Sequence, residues 1–167
     1  MIRHPEAVEI VRQLTQAGHQ AVYAGGCVRD AILQRAYPDV DIATSATPDQ
    51  VQALFPKASD PQGKAFGVIR LKRGEHVFEI ATFRVDGPYL DGRRPSSVTF
   101  TTAEEDAQRR DFTVNGMFFD PIQDKVLDFV GGKPDLKAKV IRAIGDPTAR
   151  FTEDRLRLFR EIGRAHV

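Results

Sequence analysis

The stretch Ala21-Val22-Tyr23-Ala24-Gly25-Gly26-Cys27-Val28-Arg29-Asp30, followed by Asp39-Val40-Asp41-Ile42-Ala43, decides how this chain is read. Gln20 to Ala24 is short, mostly apolar and closed by a glycine pair, as a buried strand is. Gly25-Gly26 breaks it, and Cys27 to Leu33 reads as helix. Without Cβ atoms the backbone at the glycines can approach an anion closely. The helix start aims free N–H groups and its positive dipole end at the same place. Arg29, one turn in, adds a charge-assisted donor. A plain tight turn explains the glycine pair as well. Cys27 reads as a small packed side chain rather than a nucleophile, because no histidine pattern accompanies it.

Asp39 and Asp41 stand two apart on a predicted strand, so both side chains leave one face. Their α-carbons would lie roughly 6.5–7 Å apart. Carboxylates at that spacing can lean onto divalent ions about 3.5–4 Å from each other. Solvated strand-edge aspartates would show the same pattern. Glu79 lies in Val77-Phe78-Glu79-Ile80-Ala81 with apolar neighbours on both sides. A carboxylate on such a strand needs a partner, either a metal or an arginine.

Outward from these stretches the chain alternates helix and strand signals. Ala7, Ile10, Val11 and Leu14 share one helical face, with Pro5 at the start and Gly18 at the stop. Thr47-Pro48-Asp49 opens a helix to about Phe55, capped by Thr47. Phe66 to Leu71 and His76 to Phe83 read as strands around a Gly74-Glu75 hairpin turn. Arg84 to Ser97 is rich in Gly, Pro, Asp and Arg and reads as a long loop. Ala103 to Arg110 is a charged helix. Gly116 to Asp120 and Lys125 to Val130 are short strands, Pro134 to Lys139 a helix, and Pro147 begins another. The whole is α+β, with an open mixed sheet rather than a doubly wound parallel one.

Composition narrows the classes. The chain has 167 residues, 41% of them hydrophobic, enough for a domain with a core. A net charge of +1 leaves nucleic-acid binding to local basic patches. The single cysteine excludes an internal disulfide. No leader pattern opens the chain, and no apolar run approaches the roughly 20 residues of a membrane helix. The expected location is the cytoplasm. The four histidines, His4, His19, His76 and His166, show no metal-ligand spacing.

In combination these pieces are specific. Gly25-Gly26-Cys27-Val28-Arg29-Asp30 with Asp39-Val40-Asp41-Ile42-Ala43-Thr44 resembles the first motif of the class II tRNA nucleotidyltransferase and bacterial poly(A) polymerase family. Glu79-Ile80-Ala81-Thr82-Phe83-Arg84 is similar to that family's third-carboxylate strand, and Asp91-Gly92-Arg93-Arg94-Pro95 to the loop that follows. Arg109-Arg110-Asp111-Phe112-Thr113-Val114-Asn115-Gly116-Met117 resembles its second motif. Gly131-Gly132 with Asp135-Leu136, and Ile141 to Gly145, are similar to the head–neck connection. Glu153-Asp154-Arg155-Leu156-Arg157 resembles the base-selecting motif. Arg155 stands where the family often has proline, and Phe159 where a smaller aliphatic is common.

The resemblance implies a polymerase-β-like nucleotidyltransferase head over residues 1–145 and the start of a helical neck over 146–161. Residues 162–167 read as a non-native tail on a shortened chain, since Gly163 breaks the expected helix. It implies that Asp39 and Asp41 hold Mg²⁺ with Glu79 assisting. Gly25, Gly26, Arg29, Arg110, Asp111 and Asn115 would bind sugar and phosphates. On their own, Arg109-Arg110-Asp111 would also suit a solvated helix end.

Asp154 and Arg157, three apart on a helix, share a face. They make an intrahelical ion pair or a base reader. Cytosine and adenine each present an amino donor beside a ring-nitrogen acceptor, which a carboxylate and a guanidinium match. Uracil and guanine present the reverse and would leave both groups mispaired. The implied activity is addition of C and A, from CTP and ATP, to the 3′ end of tRNA. A-adding, CC-adding and poly(A)-polymerising enzymes are alternatives within the family. A small-molecule nucleotidyltransferase and a non-catalytic nucleotide- or RNA-binding module are alternatives outside it.

Overall fold

The structure, a computed structural model, describes residues 4–37, 39–88 and 96–153. Helix α1 (Pro5–Gln16) lays Ala7, Ile10, Val11 and Leu14 into the core, as their spacing predicts. Strand β1 (Ala21–Ala24) is buried along its length and runs through Gly25 into helix α2 (Gly26–Ile32). Strand β2 (Asp41–Thr44) precedes helix α3 (Pro48–Leu54). Thr47 and Gln50 close a reciprocal capping box at the start of α3, a contact whose loss costs about 1 kcal/mol.

Strands β3 (Val68–Arg73) and β4 (His76–Thr82) form the expected hairpin around Gly74. The predicted strand start at Phe66 is a 3-10 turn instead, Lys64–Phe66. The predicted loop from Arg84 to Ser97 is also corrected at its start, and a strand that the sequence did not suggest follows its end. Strand β5 (Arg84–Asp86) pairs antiparallel with β6 (Val98–Phe100), and such a ladder satisfies backbone groups that a loop would leave to water. Helix α4 (Ala103–Gln108) follows. Thr113–Asn115 form a 3-10 turn, so the next strand, β7 (Phe118–Asp120), starts later than Gly116. It pairs with β8 (Lys125–Leu127), and helices α5 (Gly132–Ala138) and α6 (Pro147–Glu153) complete the described chain.

Six strands form one sheet in the order β3-β4-β2-β1-β7-β8. β2 and β4 are parallel and the other neighbours antiparallel, which is the expected mixed open sheet. Alternation along the strands divides the core in two. Tyr23, Ile42, Ile69, Phe78 and Ile80 pack on one face against α1, α2 and α3. Val22, Ala24, Ala43 and Phe118 pack on the other with Phe83 and with Ala103 and Ala107 of α4. Truncating a side chain as buried as Leu14, which is 0% exposed, would cost about 2–5 kcal/mol.

Candidate active site

The second face carries the sequence-predicted carboxylates Asp41 and Glu79. Ala24, the last residue of β1, pairs with Asp41, the first of β2. The glycine pair leaves the sheet at the residue next to that carboxylate. β2 and β4 run parallel with Ile42 beside Ile80, so one step back along both strands sets Asp41 beside Glu79. Asp41 and Glu79 therefore share a face of the sheet, as two adjacent in-register positions must. Asp39 does not belong to the strand, which begins at Asp41. The expectation that both aspartates leave one strand face is thus corrected. Asp39 is exposed just ahead of the strand, near enough for its charge to be felt at Asp41.

Asp41 keeps solvent contact on one side, yet protein crowds its carboxylate. That loss of hydration raises its pKa, and the charges of Glu79 and Asp39 push the same way while Arg110 opposes them. Glu79 is engaged already. Arg70, its cross-strand partner in the β3–β4 ladder, donates from Nε at 3.1 Å and from Nη2 at 2.9 Å. Both side chains are exposed, and pairs of that kind contribute roughly 0–1 kcal/mol. Among the described residues, Asp39, Asp41 and Glu79 do not bring three ligand oxygens within 4.8 Å of one another.

Two guanidinium groups stand over the glycine pair. A Cβ on Gly25 would lie 3.4 Å from Arg110 Nη1, and one on Gly26 would lie 3.6 Å from Arg29 Nη2. Gly25 also has φ +75°, a conformation that disfavours any side chain. Arg29 Nη1 donates to Asn115 Oδ1 at 2.7 Å, and its Nε and Nη2 donate to Asp30 at 2.8 and 2.9 Å. Asn115 Nδ2 in turn donates to Asp111 Oδ1 at 3.1 Å. Arg29, Asp111 and Asn115, singled out separately, thus form one hydrogen-bonded chain between α2 and the 3-10 turn. Arg29 and Asp30 also wall an open cleft of about 600 Å³ with Arg35, Val114, Leu136 and Lys139.

The 3-10 turn is fixed from behind. Thr113 Oγ1 donates to Asp135 Oδ2 at 2.7 Å, and Arg142 Nε donates to the same oxygen at 3.0 Å. These bonds, Arg142 first, hold the Asp135 pKa below the usual carboxylate range. Gly132 is needed for the approach, since a Cβ there would meet the Thr113 carbonyl oxygen at 2.3 Å.

Arg110 is held by Asp106, which the sequence reading passed over. Asp106 is 1% exposed. It accepts from Arg110 Nε and Nη2 at 3.1 and 2.9 Å, from Arg109 Nε at 3.0 Å and from the Arg84 backbone N–H at 3.0 Å. Arg110 also lies over the Phe118 ring, 4.9 Å from its centroid. The signal was available, since Asp106 stands three and four residues before the two arginines on one helix face. Cys27 is as read. Its thiol is buried, donates to the Ala24 carbonyl at 3.3 Å, and has its pKa pushed up to about 11, chiefly by burial. Asp154 and Arg157, the loop motif Asp91 to Pro95 and residues 162–167 lie outside the described residues.

Comparison with known proteins fits this arrangement. The Poly A polymerase head domain model matches residues 21–142. The CCA-adding enzyme of Bacillus subtilis is 47% identical over 158 residues, 94% of this chain and 39% of that protein. The crystal structure of the Bacillus stearothermophilus CCA-adding enzyme in complex with CTP superposes with a TM-score of 0.85 at 39% identity, over 96% of this chain and 39% of that one. A tRNA nucleotidyltransferase complexed with a primer tRNA and an incoming ATP analog superposes with a TM-score of 0.69 at 29% identity, over 90% of this chain and 42% of that one. The chain therefore spans about 39% of the length of the curated relative it matches. With a family model covering most of its length and the same mixed sheet carrying its glycine pair and carboxylates, the chain belongs to the poly A polymerase head-domain family.

Proposed function

We propose that this chain is the catalytic head of a template-independent nucleotidyltransferase that adds C and A to the 3′ end of tRNA. The observation that carries the reading is the juxtaposition of Arg29 and Arg110 over Gly25-Gly26 with the crowded carboxylate of Asp41. Cations over bare backbone suit a triphosphate. A carboxylate whose ionised form is disfavoured by burial and by like charges suits a bound cation.

The donor set fits Mg²⁺, which takes carboxylate oxygens together with substrate phosphates and water. Asp39 and Asp41 would hold it, with Glu79 assisting once released from Arg70. When bound there, the ion lowers the pKa of the RNA 3′-hydroxyl and neutralises charge on the phosphates. Gly25 and Gly26 let the triphosphate approach the backbone, and Arg29 and Arg110 orient it. Asp111 and Asn115 position the sugar, and the cleft beside Arg29 gives the nucleotide room. The 3′-hydroxyl gives up its proton to solvent, its oxygen forms a bond to the α-phosphorus as the α–β anhydride bond breaks, and pyrophosphate leaves with the electron pair. Asp154 and Arg157 select cytosine and adenine by pairing with their amino and ring-nitrogen edge. A tRNA substrate puts the work in the cytoplasm. Among the described residues no helix is long and apolar enough to cross a membrane.

The test joins this head to the C-terminal part of the Bacillus subtilis relative. The chimera is given Mg²⁺, each labelled nucleotide in turn, and tRNAs ending before CCA, after C and after CC. Stepwise C, C, A addition that stops is expected. A alone on the CC-ending tRNA would mean an A-adding enzyme, and C addition that stops before A a CC-adding one. A long A ladder would mean a poly(A) polymerase. No incorporation by a folded chimera overturns the reading. Asp154→Ala should relax discrimination against UTP and GTP before it abolishes addition, and an unchanged preference would refute the base-selection role.

A further inference from the structure

The opposite face of the sheet carries a second cluster of ligating groups. His4 sits just ahead of α1, Glu6 lies in its first turn, and His76 opens β4. Their ligand atoms all lie within 4.8 Å of one another, the one such group among the described residues. His76 Nδ1 is 2.8 Å from Glu6 Oε2. The His4 ring stands edge-on to His76, with centroids 4.7 Å apart, and edge-on to Phe78 at 5.1 Å. His4 Nδ1 is shut off from solvent with no hydrogen-bond partner among the described residues. The hairpin turn comes close to the Glu6 carboxylate, since a Cβ on Gly74 would lie 2.6 Å from Glu6 Oε1. Phe78 and Ile80 face this side, and Glu79, between them in β4, faces the other.

We propose that His4, Glu6 and His76 form a binding site for a transition-metal ion of the Zn²⁺ class, distinct from the carboxylate site. Two imidazoles and one carboxylate suit Zn²⁺ and its neighbours, whereas Mg²⁺ prefers an all-oxygen set. Metal–ligand bonds of about 2.0–2.2 Å put tetrahedral ligands about 3.4 Å apart. The wider separations, 4.8 Å at most, close by about 1–1.5 Å and the 2.8 Å His76–Glu6 contact opens slightly, movements the exposed His76 side chain can supply. Three protein ligands leave a fourth position for water. The buried Phe78 ring lies near both imidazoles, 5.1 Å from His4 and 6.2 Å from His76 between centroids. The ion would tie the N-terminus of α1 to the β3–β4 hairpin, joining residues 70 apart in sequence. It binds the folded chain and not the unfolded one, so it raises stability.

The experiment is Zn²⁺ titration of the whole, metal-stripped chain in excess Mg²⁺, read by equilibrium dialysis and thermal midpoint. Co²⁺ serves as a visible probe of coordination. One Zn²⁺ per chain is expected, with a raised midpoint and intense tetrahedral Co²⁺ bands. His76→Gln and Glu6→Gln should each weaken binding by about tenfold or more, while Asp41→Asn leaves it intact. Both substituted side chains are substantially exposed, so the fold survives the change and circular dichroism verifies it. Zn²⁺ binding that is absent, or equal in the parent and both variants, overturns the site. So does binding lost in Asp41→Asn.

Discussion

Asp41 and Asp106 are both aspartates crowded by protein, and they titrate in opposite directions. Burial pushes both up. At Asp106 the Arg110 and Arg109 guanidiniums and the Arg84 N–H more than reverse it, so its pKa falls below the usual range. At Asp41 burial comes first, the charges of Glu79 and Asp39 add to it, Arg110 only partly offsets them, and its pKa stays raised. Arg110 faces both groups but makes its hydrogen bonds to Asp106. One carboxylate is satisfied by the protein and holds the fold. The other is left short of positive charge, and that deficit is what a metal-dependent site requires.

Replacing Asp41 with Ala should cut incorporation about a thousandfold or more in the chimeric enzyme, since on the proposed reading several kcal/mol of transition-state stabilisation would rest on an ion held there. The same change should leave the fold intact by circular dichroism. Near-normal turnover would remove Asp41 from the metal site and erase the contrast.

Asp106→Ala should act on stability first, lowering it by about 3–5 kcal/mol as two arginines lose a buried partner. Urea unfolding measures it. A loss under 1 kcal/mol would mean that Asp106 is no keystone. Asp106→Asn retains acceptors for some of the donors and should fall in between.

The pH dependence follows from the two directions. The unfolded reference for both is 3.8. Asp106 has a lowered folded pKa, so its contribution is present above 3.8 and is lost as pH falls through the folded value. Asp41 has a raised folded pKa, so stability declines as pH rises from 3.8 through the folded value. Without divalent ions, Asp41→Asn should therefore raise the thermal midpoint near neutral pH, and saturating Mg²⁺ should close the gap. A lower midpoint in the variant would show that Asp41 is satisfied after all.

The smallest effect is expected at Arg70. Arg70→Ala removes the exposed pair with Glu79 and a longer contact with Asp60 at 3.5 Å, and should change stability by less than about 1 kcal/mol. By freeing Glu79 it should tighten Mg²⁺ binding slightly, measured by calorimetry. Weaker Mg²⁺ binding would make Arg70 a support of the site rather than a competitor for Glu79.

Much of this was legible in the chain. The hairpin turn at Gly74-Glu75 already sets Arg70 opposite Glu79, because antiparallel pairs around that turn have a fixed sum of positions. The i to i+4 relation of Asp106 and Arg110 was equally readable. Less legible was where a strand begins. Asp39 and Asp41 alternate as strand residues do, but pairing with β1 starts at Asp41. A ladder ends where its partner ends, which periodicity does not record. Strand β6 was missed for a similar reason, since a three-residue strand exists only through its pairing with β5.

By itself the sequence determined the family, the mixed architecture, the glycine turn with its arginine, and the carboxylates proposed to hold a metal ion. These are local matters of turn chemistry, spacing and residue type. Tertiary structure alone decided which charges meet. Parallel pairing of β2 and β4 put Glu79 beside Asp41, and the packing of α4 set Asp106 against the Arg84 backbone. The fold also gathered His4, Glu6 and His76, whose spacing along the chain suggests no metal site. Charge and ligand geometry depend on distance in space, and residues 70 apart in sequence become neighbours only when the sheet and α1 have packed.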